Sequence, residues 1–215
     1  LHLRNLDSIT PDLRLFPDFD ENLRRAFRRE TELFFESILR EDRSVLELLK
    51  TDYTFLNERL AKHYGLAPVA GKGLAKYDLS NLLERGGLLT QGSVLTIGGD
   101  EASMVTRGLF VLHDLLRSGV KDPPPCVNTT PVPTKPGLTQ RSIAEDREAN
   151  KSCGGCDGKF EPLAYGLEMF DGIGAFHKKD EHGNKLREDG EILFPGTAKP
   201  VPYKPSAELM DLLTG

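Results

Sequence analysis

Basic residues are not in excess in this sequence. Lys and Arg number 28 against 33 Asp and Glu, for a formal net charge of −5. Neutralising a phosphate backbone needs a positive field, so nucleic acid is excluded as a main partner. Long apolar runs are missing too: none approaches the roughly 20 residues that cross a bilayer, so no membrane span is expected. Cysteine is scarce. Cys126, Cys153 and Cys156 are the only three, too few for a disulfide framework, and an odd count leaves a free thiol, a pair plus one, or two cysteines consumed by a covalent cofactor. There is no signal peptide, no internal repeat, no phosphate-binding glycine pattern, no calcium-loop spacing and no Ser-His-Asp arrangement. The chain opens on LHLRNLDSITPDL and stops at SAELMDLLTG, inside a helical pattern. It therefore reads as a piece of a larger protein, whose missing targeting signals say nothing about compartment.

What is present is ordinary soluble composition, 38% hydrophobic and 28% charged over 215 residues, enough to bury a core. The pattern predicts a mainly α chain with a small β-hairpin. Residues 1–65 read as a helical domain. Its first long helix, about 20–41, is capped by Asp18 with Glu21 and carries Leu23, Phe27, Phe34 and Ile38 on one face, widened by Phe35 and Leu39. Ser44 with Glu47 predicts a second cap, and Thr54 a third, before a helix that Gly65 ends. Residues 66–121 read as a loop-rich middle with one or two short strands and one helix, Ser103–Arg117. Six of the 14 prolines fall between 123 and 136, so 122–138 reads as an extended connector. The remainder, 139–215, carries a short helix capped by Thr139, a second with Phe160, Leu163, Leu167 and Phe170 on one side, a hairpin across GAFHKKDEHGNKLREDGEILF turning at Gly183–Asn184, and a last helix capped by Ser206.

The chemistry concentrates in KSCGGCDGKF, residues 151–160. Two thiols with two residues between them match the spacing that adds to the vinyl groups of one haem, and a following histidine would ligate the iron. Here the next residue is Asp157, a harder, anionic donor that favours ferric iron. Further ligand candidates are His177, which as a plain reading is a surface strand residue, and Met169, which at helical spacing is core. The same cysteines without haem read as a disulfide, with Cys126 able to join either. His113 reads as a core or rim residue, and His63, in a helix tail, as a cation favoured by the helix dipole. Capping and hairpin-anchoring hydrogen bonds account for Glu168 and Asp171.

ERGGLLTQGSVLT, TRGLFVLHDLL with its proline cluster, and CGGCDGKFEPLAYGLEMFDGIGAFH resemble, in this order, the planctomycete-type cytochrome c-associated proteins, secreted multi-domain chains built from adjoining domains of unknown function. FPDFDENLRRAFRRETELFFESIL with the stretch up to Gly65 also resembles the helical domain that precedes those blocks. The family's cysteine block usually reads C-x-x-C-H followed by D-P-L-G-x-A-L-E-x-F-D-x-x-G. The resemblance therefore implies a small cytochrome c-like module at 139–215 in an extracytoplasmic protein associated with polysaccharide breakdown and electron transfer. It implies haem c attached at Cys153 and Cys156, ligated by Asp157 or by His177 or Met169 in its place. Its partners would be a redox protein or other domains of the parent chain. Two other readings stand beside this one: a haemless, disulfide-stapled scaffold or interaction domain, and an enzyme whose active site lies on other parts of the parent chain.

Overall fold

The computed structural model describes residues 3–71, 73–122, 130, 132–150 and 154–215. Cys126, Cys153 and residues 123–129 and 131 of the proline-rich connector lie outside these residues. Helix α1 (Glu21–Arg40) starts from Asp20, whose carboxylate accepts the Leu23 N–H at 2.7 Å. The cap thus falls two residues after the predicted Asp18, on the extended residue directly before the first turn. Leu23, Phe27, Phe34 and Ile38 are buried, as their spacing predicts, together with Ala26, Glu30 and Thr31. Phe35 and Leu39 are not part of that face: they stay 40% and 66% exposed, because each follows a buried position by one residue and points about 100° away.

The third predicted helix begins later than its sequence suggests. Tyr53–Leu56, aromatic and β-branched, forms strand β1, antiparallel to β2 (Ala75–Asp78). Thr54 is not a cap; its hydroxyl donates to the Glu30 carboxylate at 2.6 Å. Asn57 takes the capping role for α2 (Glu58–His63), accepting the Leu60 N–H at 2.9 Å. Ser44 caps only a single 3₁₀ turn, Val45–Leu48, and Glu47 turns to Arg43 instead of closing a capping box.

The middle of the chain is wound into short turns around α3 (Gly92–Leu95), and α4 (Met104–Phe110), capped by Ser103, continues as one π-helical stretch, Val111–Leu115. Then come α5 (Gln140–Ala149), closed by a Thr139–Ser142 capping box, the short α6 (Gly154–Asp157), and a 3₁₀ segment, Glu161–Leu167. Strands β3 (Gly190–Ile192) and β4 (Val201–Tyr203) pair antiparallel before α7 (Ser206–Thr214). The hairpin predicted over 174–194 is therefore only partly formed. Its turn exists, but a single bridge joins Lys179 to Lys185, and Gly190–Ile192 finds its partner further on. The Asp180 carboxylate takes the N–H groups of His182 and Asn184, so the turn is satisfied locally. Ser206 is the first residue of α7 and not its cap; its hydroxyl donates to the Glu84 carbonyl.

One apolar cluster draws Phe34 and Tyr53 together with Leu95, Val111, Leu163, Phe170, Ile192 and Leu209. A second, beneath α1, joins Leu23, Phe27, Leu56 and Leu60 to Ile173. Full burial of each such side chain contributes roughly 1.5–3 kcal/mol. Helix α4 reaches the 161–167 segment at Gly108, where a Cβ would lie 2.1 Å from the Phe160 carbonyl oxygen. Only glycine permits that approach.

The two clusters are tied by a buried polar network centred on Glu30, which is 1% exposed. It accepts from Thr54 and, at 2.7 Å, from the Tyr64 hydroxyl, which in turn accepts the Gly92 N–H at 2.8 Å. Burial pushes Glu30 up to about 7, against the pull of these donors and of Arg85. Folding thus keeps a proton that the unfolded chain releases near pH 4.5. The stability from the neutral acid is full below that pH and is lost as pH rises through about 7. Across this window, urea melts are expected to show wild type losing about 3 kcal/mol relative to Glu30→Gln. A difference that does not change with pH would contradict this role.

Candidate functional site

The described part of the cysteine block, from Gly154 on, packs against the end of α5. The Gly154 N–H donates to the Asn150 carbonyl at 2.8 Å, and a Cβ on Gly154 would strike the Glu148 carbonyl oxygen at 2.0 Å. From this perch Cys156 projects as a free, exposed thiol, and its neighbours Gly155 and Lys159 are exposed as well. Asp157 is half-buried; burial raises its carboxyl, and Arg147 pulls the other way. Glu161 lies beneath, 0% exposed. One of its oxygens takes the Arg147 guanidinium, with Nε at 2.9 Å, while its buried Oε2 has no hydrogen-bond partner among the described residues. Burial pushes Glu161 up to about 7 despite Arg147, with Asp157 and Glu148 adding to the rise. The ground beside Cys156 is thus a set of carboxyls around one guanidinium.

The other ligand candidates lie along the chain after this block. Met169 is buried at 7% exposure, and its carbonyl accepts the His177 N–H at 2.7 Å. Between them Phe170 and Phe176 form a bridge with ring centroids 5.5 Å apart. The His177 imidazole is held through one nitrogen: its Nε2 lies 2.9 Å from Asp171 Oδ2. That hydrogen bond raises His177 above its ordinary range. Burial alone would raise Asp171, but the bonds from His177 and the Ala175 N–H outweigh it and hold the carboxyl low. The cleft that His177 lines includes neither Cys156, Asp157 nor Met169.

Among the described residues, Phe160, Leu163, Leu167 and Phe170, the apolar side chains of the following stretch, are 5% exposed or less and packed into the chain's own core. Asp157 and Glu161 are the acidic groups beside Cys156 among the described residues, and burial raises both carboxyls.

Two functional anchors escape simple pattern reading. Arg107, 1% exposed, donates to the carbonyls of Leu95, Leu167, Phe170 and Asp171 at 2.6–3.1 Å. Arg85 donates to the carbonyls of Thr90 and Gly174 and lies 3.8 Å over the Tyr64 ring. For Arg107 the signal is its position on the apolar face of α4, three residues from Met104 and four from Val111. His63 also differs from expectation. Burial lowers it to about 4, so it is neutral and faces the Ile173 carbonyl at 2.9 Å; it does not serve as a cation on the helix dipole. Glu168 and Asp171 do anchor their loops: Glu168 accepts from Thr139 and the Arg187 N–H, and Asp171 from the Ile173 and Ala175 N–H groups. His113 is exposed, at the rim of a cleft.

Cys156 is expected to behave as an open thiol. With Cys126→Ser and Cys153→Ser in place, a thiol-reactive dye should label it within several-fold of its rate in concentrated urea. Labelling only after unfolding would contradict the exposed placement.

Residues 1–66 match the family model PSD4, protein of unknown function (DUF1592), and residues 85–180 match PSCyt3, protein of unknown function (DUF1588). No curated protein and no solved structure gives a significant match. Together the two matches support the resemblance to the planctomycete-type cytochrome c-associated proteins over both segments.

Proposed function

We propose that this chain is a haemless scaffold module of a cytochrome c-associated, multi-domain protein. On this reading, the segment matched by the first family and the segment matched by the second are held as one body. The observation that carries it is the setting of Cys156: an exposed thiol between Gly155 and Lys159, with the apolar residues of the following stretch turned into the core. The Asp157 carboxyl, where the family's block usually has its histidine, is raised by burial and lies near Arg147. The shared core supports the scaffold role: Phe34 and Tyr53, from before residue 66, pack in the same cluster as Leu95, Val111 and Phe170. The secreted setting and the link to polysaccharide breakdown follow from the family resemblance. A haem c electron-transfer module is the competing reading, and it rests on the C-x-x-C spacing.

Expression in a host that attaches haem to exported proteins decides between them. Intact mass and a visible spectrum are expected to give a bare polypeptide without a Soret band. Asp157→His is expected to leave it bare, because one restored ligand supplies no apolar slot. A covalent haem on the unmodified chain would overturn the reading.

A further inference from the structure

A cleft of about 320 Å³ opens among the loop at Leu15–Phe16, the start of α4 and the stretch from Glu168 to Leu186. His177 and Asp171 both line it. The Asp171 carboxylate is fixed on three sides. Oδ1 accepts the N–H groups of Ile173 at 3.0 Å and Ala175 at 2.9 Å, Oδ2 holds His177 Nε2 at 2.9 Å, and the buried Arg107 guanidinium grips the residue's own carbonyl at 2.6 Å. The imidazole is thereby oriented through one nitrogen. Its Nδ1 makes no hydrogen bond among the described residues, and the side chain is 49% exposed. A histidine held this way can take and return a proton at one nitrogen while a carboxylate steadies the other.

The plainer account makes this pair a loop staple. That loop is already closed by its backbone, through Asp171 N–H to Ala175, Gly174 N–H to Asp171 and His177 N–H to Met169. The residue also lines the cavity and keeps its Nδ1 without a hydrogen bond among the described residues, which a staple does not need.

The cavity also defines what it admits. Leu15, Phe16, Met104, Phe170 and Leu186 give it apolar walls. The other charged groups lining it are Asp100, Glu101, Glu168, Lys179, Asp180 and Glu181, a surplus of carboxylates that repels anions. We propose that this cleft hydrolyses neutral apolar acyl esters, with His177 as general base toward water and Asp171 as its positioning residue. Water oxygen bonds to the acyl carbon as its proton passes to Nδ1. The acyl–oxygen bond then breaks, and the departing alkoxide takes that proton back. Ester and water become carboxylic acid and alcohol, with nothing oxidised or reduced. The acid ionises in a field of carboxylates that favours its release. This activity does not rest on the scaffold reading, but it requires that His177 not be taken up as an iron ligand.

Hydrolysis of p-nitrophenyl butyrate by the whole chain tests it. The rate is expected to exceed that of an equal concentration of free imidazole and to rise with pH through a midpoint above the ordinary histidine value. His177→Gln should lose about 100-fold or more, while His182→Gln keeps the wild-type rate. Asp171→Asn retains an oxygen for the Ile173 and Ala175 N–H groups, so it should fold. It is expected to slow hydrolysis and move the midpoint down. A wild-type rate no better than free imidazole, or full activity in folded His177→Gln, would overturn the proposal.

Discussion

A single buried guanidinium holds the second half of this structure in place. Arg107 brings a positive charge into the core and, among the described residues, has no carboxylate side chain bonded to it; four backbone carbonyls answer it instead. Taking an ion out of water costs several kcal/mol unless its donors are satisfied. Here the carbonyls of Leu95, Leu167, Phe170 and Asp171 satisfy them from two separate stretches of chain. Burial lowers Arg107 only to about 10, so it stays charged at neutral pH. The four carbonyls can meet at one point only if the Leu95 turn and the 167–171 bend have their observed geometry. Nearby, Gly98 leaves room for the side chain, since a Cβ there would lie 2.9 Å from Arg107 Nε.

From that clamp the rest of the site follows. With Phe170 and Asp171 fixed, the next five residues turn tightly through Gly174, at φ 79, and send Ile173 under α1 into the N-terminal apolar cluster. Arg85 and His63 receive the same turn from the other side, at the Gly174 and Ile173 carbonyls. The stretch after the cysteine block is therefore a structural keystone in this chain. Cys156 stands at its edge, exposed between Gly155 and Lys159. A haem would compete with the core for the same apolar side chains.

Much of the helical framework was legible in the sequence, because it depends on local rules. The α1 stripe, the Ser103 start of α4 and the Thr139 cap of α5 are set by spacing and by single side chains next to backbone donors. The misplaced elements were decided by distant partners. Tyr53–Leu56 is a strand because Ala75–Asp78 pairs with it, and Thr54 faces Glu30 across 24 residues. The hairpin was truncated because Val201–Tyr203, beyond the apparent hairpin, took Gly190–Ile192. The cysteine pattern was legible as a motif, but its surroundings were not. Whether Phe160 and Leu163 line a cofactor slot or a core depends on α4 arriving at Gly108, which no local pattern encodes. The Asp171–His177 pair was hidden in the same way, its members read as a loop anchor and a strand residue.

The most direct test of the clamp is backbone hydrogen exchange in Arg107→Lys, which keeps the charge but replaces a planar fork by a single ammonium that cannot reach all four carbonyls. The account predicts that the Ala175 and His177 amides lose far more protection than the amides of α1, since their acceptors belong to the bend that Arg107 fixes. Protection at 170–177 equal to wild type, or a loss spread evenly over the chain, would contradict it.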